Sequence, residues 1–278
     1  MEATLPDCTT LALARKGSVL HVTLNRPEAR NALDPAMVAE LLAVTAAVRN
    51  DRSLRTLVLR GAGGTFCAGG DIRGFREDMQ ASVPRPGAPD PVVKQNRDFG
   101  DLLIALNELP QALVMVVEGA AFGGGMGLVC VSDIALAAAD TRFALSETGL
   151  GLPPAQIAPF VVQRIGLTQA RRLMLSGARF DGRLAGALGL VHEVAADPAA
   201  LEALLAQVLD QIGRCAPGAN AATKDILFSS LRQPLPEVLD RAAMHFAASM
   251  RGEEGREGVA AFLEKRPAAW VEKLDGVR

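Results

Sequence analysis

Two strand-forming runs, each entering a glycine-rich turn, constrain this chain more than any other feature: residues 56–60 lead into GAGGTFCAGGDI, and residues 113–118 lead into GAAFGGGMG. Glycine tolerates positive φ and close backbone approach, so a glycine run between a strand and a helix can present backbone N–H groups to an anion. Neither run has the GxxxxGK[ST] spacing of a phosphate loop, and neither makes a GxGxxG dinucleotide fingerprint with an acid about twenty residues on. Two N–H donors from separate loops are the minimum apparatus for holding a developing oxyanion, and losing one such donor costs about 10²- to 10³-fold in rate. Taken singly, either run also serves as a tight turn or a close helix-to-strand contact.

Strand, turn and helix alternating in this way predict an α/β fold. Upstream, residues 11–14 and 19–24 read as strands around a turn at Lys16, Gly17 and Ser18. Asp34 is placed to cap a helix reaching about Asn50, with Pro35 at its first position and Met37, Leu41, Val44 and Val48 at helical spacing. Further strands are expected at 134–138 and 143–145. The four Pro and one Gly of ASVPRPGAPDP (81–91) exclude regular structure and predict a surface loop. Beyond Gln156 helices are expected at 157–165, 168–176, 201–215, 236–250 and 256–265. These features divide the chain into a core over residues 1–200 and a helical C-terminal region over 201–278.

With 29 Lys+Arg against 31 Asp+Glu, the formal charge of -2 argues against a nucleic-acid or anionic-lipid partner. Cys8, Cys67, Cys130 and Cys215 are scattered and there are three His, which suggests neither a zinc site nor a disulfide framework. The acidic start MEATLPDCTT lacks the regions of a secretory signal, and no apolar run approaches the roughly 18 to 20 residues of a membrane span. The expectation is a cytoplasmic protein with no membrane partner.

LNRPEARNAL (24–33), GTFCAGGDI (64–72) and GAAFGGGMGL (119–128), in that order, closely resemble the enoyl-CoA hydratase/isomerase, or crotonase, superfamily. SETGLGLPP (146–154), FDGRLAGALGLVHEV (180–194) and FLEKRPAAW (262–270) extend the resemblance over nearly the whole chain. It implies a spiral of ββα units with a helical C-terminal region that drives formation of a homotrimer or hexamer. It implies an acyl-CoA substrate, with coenzyme A as part of that substrate and neither metal nor other cofactor. Carried over by position, Gly70 and Gly124 supply the oxyanion N–H groups, with Gly124 at a helix N-terminus. Glu28, Ala29, Arg30, Ala68, Asp71 and Ile72 meet the CoA, and Phe262 and Lys265 match positions that approach the CoA of a neighbouring subunit.

Hydratases of this superfamily usually hold two glutamates, because water addition needs one group to activate water and another to protonate the α-carbon. One of the two positions is Gly127 here; the other matches Glu147, which is the expected catalytic side chain. Asp71 reads as a brace for its loop. FGGGMGL and GLGLPPAQIAPFVVQRIG look like bacterial methylglutaconyl-CoA and isohexenylglutaconyl-CoA hydratases, which act on branched, carboxylated enoyl-CoAs, and glycine at 127 is expected to leave room for the branch. A distal carboxylate needs a cation, for which Arg73, Arg76, Lys94, Arg97 and Arg142 are candidates. His21, His192 and His245 read as structural and Cys67 as a packing residue. The competing functions are a Δ3,Δ2-isomerase with a single glutamate and a non-catalytic acyl-CoA-binding protein.

Overall fold

The computed structural model describes residues 3–80, 84–85 and 87–271; residues 81–83 and 86 of the expected 81–91 loop lie outside the described residues. Strands β1 (Leu11–Lys16) and β2 (Val19–Leu24) pair as a hairpin whose last paired residues are Lys16 and Val19. Helix α1 (Pro35–Val48) starts where the sequence predicts, the Asp34 carboxylate accepting from the Met37 N–H at 2.8 Å. A carboxylate there satisfies a first-turn donor, and proline at the first position gives up no hydrogen bond.

Strands β3 (Thr56–Gly61), β4 (Ala112–Val117), β6 (Ile134–Ala138) and β9 (Glu193–Ala195) add in parallel to β2, giving the order β1-β2-β3-β4-β6-β9. A smaller sheet joins β5 (Ala120–Phe122), β7 (Arg142–Ala144) and β8 (Arg179–Asp181) in the order β5-β7-β8. Between strands lie α2 (Ile72–Gln80), α3 (Pro91–Asn107), α4 (Gly124–Cys130), α5 (Ala158–Ser176) and α6 (Gly182–Ala187). A helical C-terminal region follows, made of α7 (Pro198–Gly213), α8 (Pro217–Ser229), α9 (Leu235–Arg251) and α10 (Glu253–Leu263). The expected α/β class is what the chain adopts. The helices expected at 157–165 and 168–176 are two arms of α5 that meet at Gly166, where φ is 74°.

The alternation of a strand explains the layers. Leu57 and Leu59 of β3 and Leu113, Met115 and Val117 of β4 enter one core, shared with buried residues of α1, α3, α4 and α5. Their neighbours Val58, Val114 and Val116 enter a second, closed by Leu201, Leu205 and Leu209 of α7. A sheet buried on both faces must read as continuous apolar runs, as ALVMVV does. Because β2, β3 and β4 are parallel, the segments leaving them all emerge at one edge, 25–34, 62–71 and 118–123 together. That carboxyl edge is where open α/β sheets bind ligands.

Candidate active site

The 66–71 segment is held from two sides. Phe66 and Cys67 donate their N–H groups to Glu118 O and Ala120 O at 2.9 Å, and Phe122 N–H donates to Cys67 O at 3.0 Å. On the other side Ala68 N–H donates to Arg30 O at 3.0 Å, Leu33 N–H to Gly69 O at 2.8 Å and Asp71 N–H to Leu33 O at 3.0 Å. In such a parallel bridge Leu33 bonds to the residues flanking Gly70, so the N–H of Gly70 itself turns away. Among the described residues it donates to no protein acceptor, nor does the N–H of Gly124, the first residue of α4. First-turn helix N–H groups have no partner within their own helix.

Gly123 joins this turn to the acid. Its φ of 47° and ψ of -115° suit glycine alone, and its N–H donates to Ala144 O at the end of β7 at 3.0 Å. Glu147 follows shortly after, opening a short 3-10 turn that Thr148 anchors by donating its hydroxyl to Met174 O at 2.9 Å. A Cβ placed on Gly123 would stand 2.7 Å from Glu147 Oε1, so the carboxylate occupies the space that the missing side chain leaves. Oε2 is buried with no hydrogen-bond partner among the described residues. Burial pushes the Glu147 carboxyl above its ordinary range.

Position 127 departs from expectation. A Cβ on the buried Gly127 would collide with Cγ2 of Ile157, which is itself 3% exposed, so the space beside this glycine is filled by protein and is not room for a substrate branch. Neighbouring glycines are fitted as closely: a Cβ on Gly124 would lie 2.9 Å from Leu33 Cδ1 and 3.3 Å from Phe99 Cζ.

The positions expected from the resemblance to meet CoA fall into two groups. Pro27–Ala29 form a 3-10 turn capped by Arg30 at φ 51°, and Arg30 O receives the Ala68 N–H, so Glu28, Ala29 and Arg30 adjoin Ala68, Asp71 and Ile72. Phe262 and Lys265 lie at the exposed end of α10. Two residues that motif reading passed over hold the first group. Arg26 donates to Ala32 O at 2.7 Å and pairs with Asp34 and Asp71, each at 3.1 Å. Burial opposes ionisation of Asp71, but hydrogen bonds from Arg26 and Arg73 keep its carboxyl below the usual range. The fully buried Asn31 accepts from Arg26 N–H and donates to Ala62 O at 2.8 Å and Thr65 O at 2.6 Å. The signal was present in LNRPEARNAL, since a buried asparagine must find partners for its amide.

Burial drives the Cys67 thiol up to about 12, as suits a packing residue and not a nucleophile. His192 accepts from Ala135 N–H, His245 pairs with Asp225, and burial lowers the pKa of His21 on β2. Among the described residues no group of three or more His, Cys, Asp or Glu is placed to hold a metal ion, and no helix is long and apolar enough to cross a membrane. A cavity of about 910 Å³ is lined by Arg49, Glu108, Lys224, Arg241 and Gly252, among others; Glu147 and the glycine loops do not line it.

Residues 14–273 match the family model described as Enoyl-CoA hydratase/isomerase. Two Escherichia coli (strain K12) proteins are similar over their length. One, 2,3-dehydroadipyl-CoA hydratase, is 31% identical over 257 residues, 92% of this chain and 96% of that protein. The other, 1,2-epoxyphenylacetyl-CoA isomerase, is 31% identical over 273 residues, 95% and 98%. The solved structure of Pseudomonas aeruginosa AtuE is 55% identical, with a TM-score of 0.91 over 95% of this chain and 100% of that one.

Proposed function

We propose, on the premise that this chain belongs to the enoyl-CoA hydratase/isomerase family, that it is a hydratase adding water to a branched, carboxylated enoyl-CoA of the isohexenylglutaconyl-CoA or 3-methylglutaconyl-CoA type. The observation that carries this reading is the half-buried Glu147, with one carboxylate oxygen against Gly123 and the other unpartnered, next to the turn that opens α4. A structural acid has its oxygens occupied. This one keeps an acceptor free, and its raised pKa suits proton transfer.

In the proposed reaction the thioester carbonyl oxygen accepts from the N–H groups of Gly70 and Gly124. Glu147 takes a proton from water as the hydroxide oxygen bonds to the β-carbon, and the π electrons move through the α-carbon onto the carbonyl oxygen as an enolate. The enolate collapses, and the α-carbon takes the proton held by Glu147, giving the 3-hydroxyacyl thioester by syn addition with no net change in the enzyme. One carboxyl group serves both steps, consistent with Ile157 filling the place beside Gly127. The branched class rests on the motif resemblance, and the carboxylated class also has support from a relative named for a dicarboxylic acyl thioester.

The closed space at Gly127 favours a second reading too, isomerisation, since a single base suffices to move a proton between the α- and γ-carbons. Incubation of 2-enoyl- and 3-enoyl-CoA in H₂¹⁸O separates the two: label in the product means hydration, and a shifted double bond without label means isomerisation. The test of the site is Glu147→Gln, followed by loss of the conjugated thioester absorbance with 3-methylglutaconyl-CoA and isohexenylglutaconyl-CoA. Unchanged turnover overturns the assignment. The same proposal includes a homotrimer or hexamer in which Phe262 and Lys265 approach a neighbour's CoA. The exposed Leu227, Leu231, Leu239 and Phe246 of the C-terminal region support such an assembly.

A further inference from the structure

The second carboxylate of the proposed substrate requires a partner, and α3 offers one. Phe99 approaches Gly124, and Ile157, which follows Gln156, covers Gly127, so α3 and the 156–157 segment both pack against α4, the helix that opens at the proposed oxyanion turn. One turn earlier on α3 stand Asn96 and Arg97, on the faces of Phe99 and Gly100. Gly100 is buried without a side chain, and a Cβ there would collide with Gln156 Oε1 and lie 2.8 Å from Arg97 Nη1. The Gln156 amide and the Arg97 guanidinium therefore meet over Gly100. Gln156 also donates to Asn96 Oδ1 at 2.8 Å, which leaves the Asn96 amide nitrogen as a further donor.

We infer that Arg97, Asn96 and Gln156 form a subsite that receives the distal carboxylate of the acyl chain, a specificity element that rests on the hydratase reading above. Guanidinium is the side chain best matched to a carboxylate, through two parallel N–H donors. Arg97 already meets Asp101 through Nη2 at 2.7 Å, but both side chains are about half exposed, at 51% and 50%, and a solvated pair of this kind is readily exchanged. Nη1 faces Gly100. Lys94, one turn earlier, has both Asp98 oxygens within 2.9 Å.

The experiment measures kcat/KM of the purified full chain for 3-methylglutaconyl-CoA and for 3-methylcrotonyl-CoA, which lacks the distal carboxylate, and takes their ratio. Arg97→Met is expected to lower the ratio about tenfold or more, with partial recovery in Arg97→Lys. Gly100→Ala is expected to lower it as well, because the added methyl displaces Gln156 and Arg97 while favouring the helix. An unchanged ratio in all three variants overturns the subsite and leaves the hydratase reading standing, whereas wild-type protein that hydrates only 3-methylcrotonyl-CoA overturns the subsite together with the carboxylated substrate class. Undiminished hydration by Glu147→Gln instead defeats that reading by itself.

Discussion

Glu147 and Glu40 are both half-buried glutamates, and the protein treats them in opposite ways. Glu40, on α1, accepts four hydrogen bonds: Oε1 from the Thr9 N–H and hydroxyl, both at 2.8 Å, and Oε2 from the Thr10 N–H at 2.9 Å and hydroxyl at 2.6 Å. Burial opposes its ionisation, yet these donors hold its carboxyl down at about 2. Glu147 keeps an unpartnered oxygen and a raised pKa. Saturation fastens α1 to the start of β1. The unspent acceptor at Glu147 is a cost that folding alone does not require, and its position beside the turn that opens α4 fits the catalytic role proposed for it.

The sharpest way to break this contrast is to neutralise each acid in turn. Glu147→Gln is expected to lower hydration on the order of 10³-fold with a thermal midpoint no lower than wild type, while Glu40→Gln keeps kcat within about twofold. Gly127→Ala asks why Glu147 stands alone. Collision with Ile157 is expected to cost about 1–3 kcal/mol, read from the urea midpoint, with recovery in the double variant carrying Ile157→Ala. Asp71→Asn loosens the Arg26 clamp, and a fall in kcat of about tenfold with little change in KM is expected if the loop positions the oxyanion donor.

The pH responses should also separate. Glu147 has a folded pKa above its ordinary value, so as pH falls through that value it takes up a proton and kcat/KM declines, while the protonation itself favours the folded state. Glu40 has a folded value of about 2, below the ordinary 4.5, so its contribution to stability is present above pH 4.5 and lost between there and about pH 2. Activity should therefore disappear before the fold does, seen by comparing initial rates with circular dichroism across the acid limb. The smallest effect is the stability loss in Glu40→Gln, about 1 kcal/mol at neutral pH, measured by denaturant titration.

Much of the scaffold was legible because its causes are local. Asp34, Pro35 and a period of 3.6 start α1; the two-residue turn at Gly17 and Ser18 sets the hairpin register; the apolar runs of β3 and β4 report a sheet covered on both faces. Helix α3 was not read, since the proline-rich stretch before it hides its start, although Asp90 caps it by accepting from the Val92 N–H at 2.8 Å. With α3 went Phe99, Gly100 and the neighbours of Gln156. The expected room at Gly127 failed for a related reason: a glycine in sequence says only that a side chain is missing, and what fills the gap belongs to another segment.

The amino-acid sequence by itself determined that two glycine-rich turns follow strand-forming runs, that Glu147 is present and that position 127 carries no acid. These are consequences of residue type and of spacing along the chain. Only the tertiary structure decided that Gly123 makes way for the Glu147 carboxylate, that Ile157 closes position 127, and that Arg97 meets Gln156 over Gly100. The physical reason is that close packing is a relation between segments distant in sequence, and one side chain's volume is settled by whichever neighbour the fold brings against it.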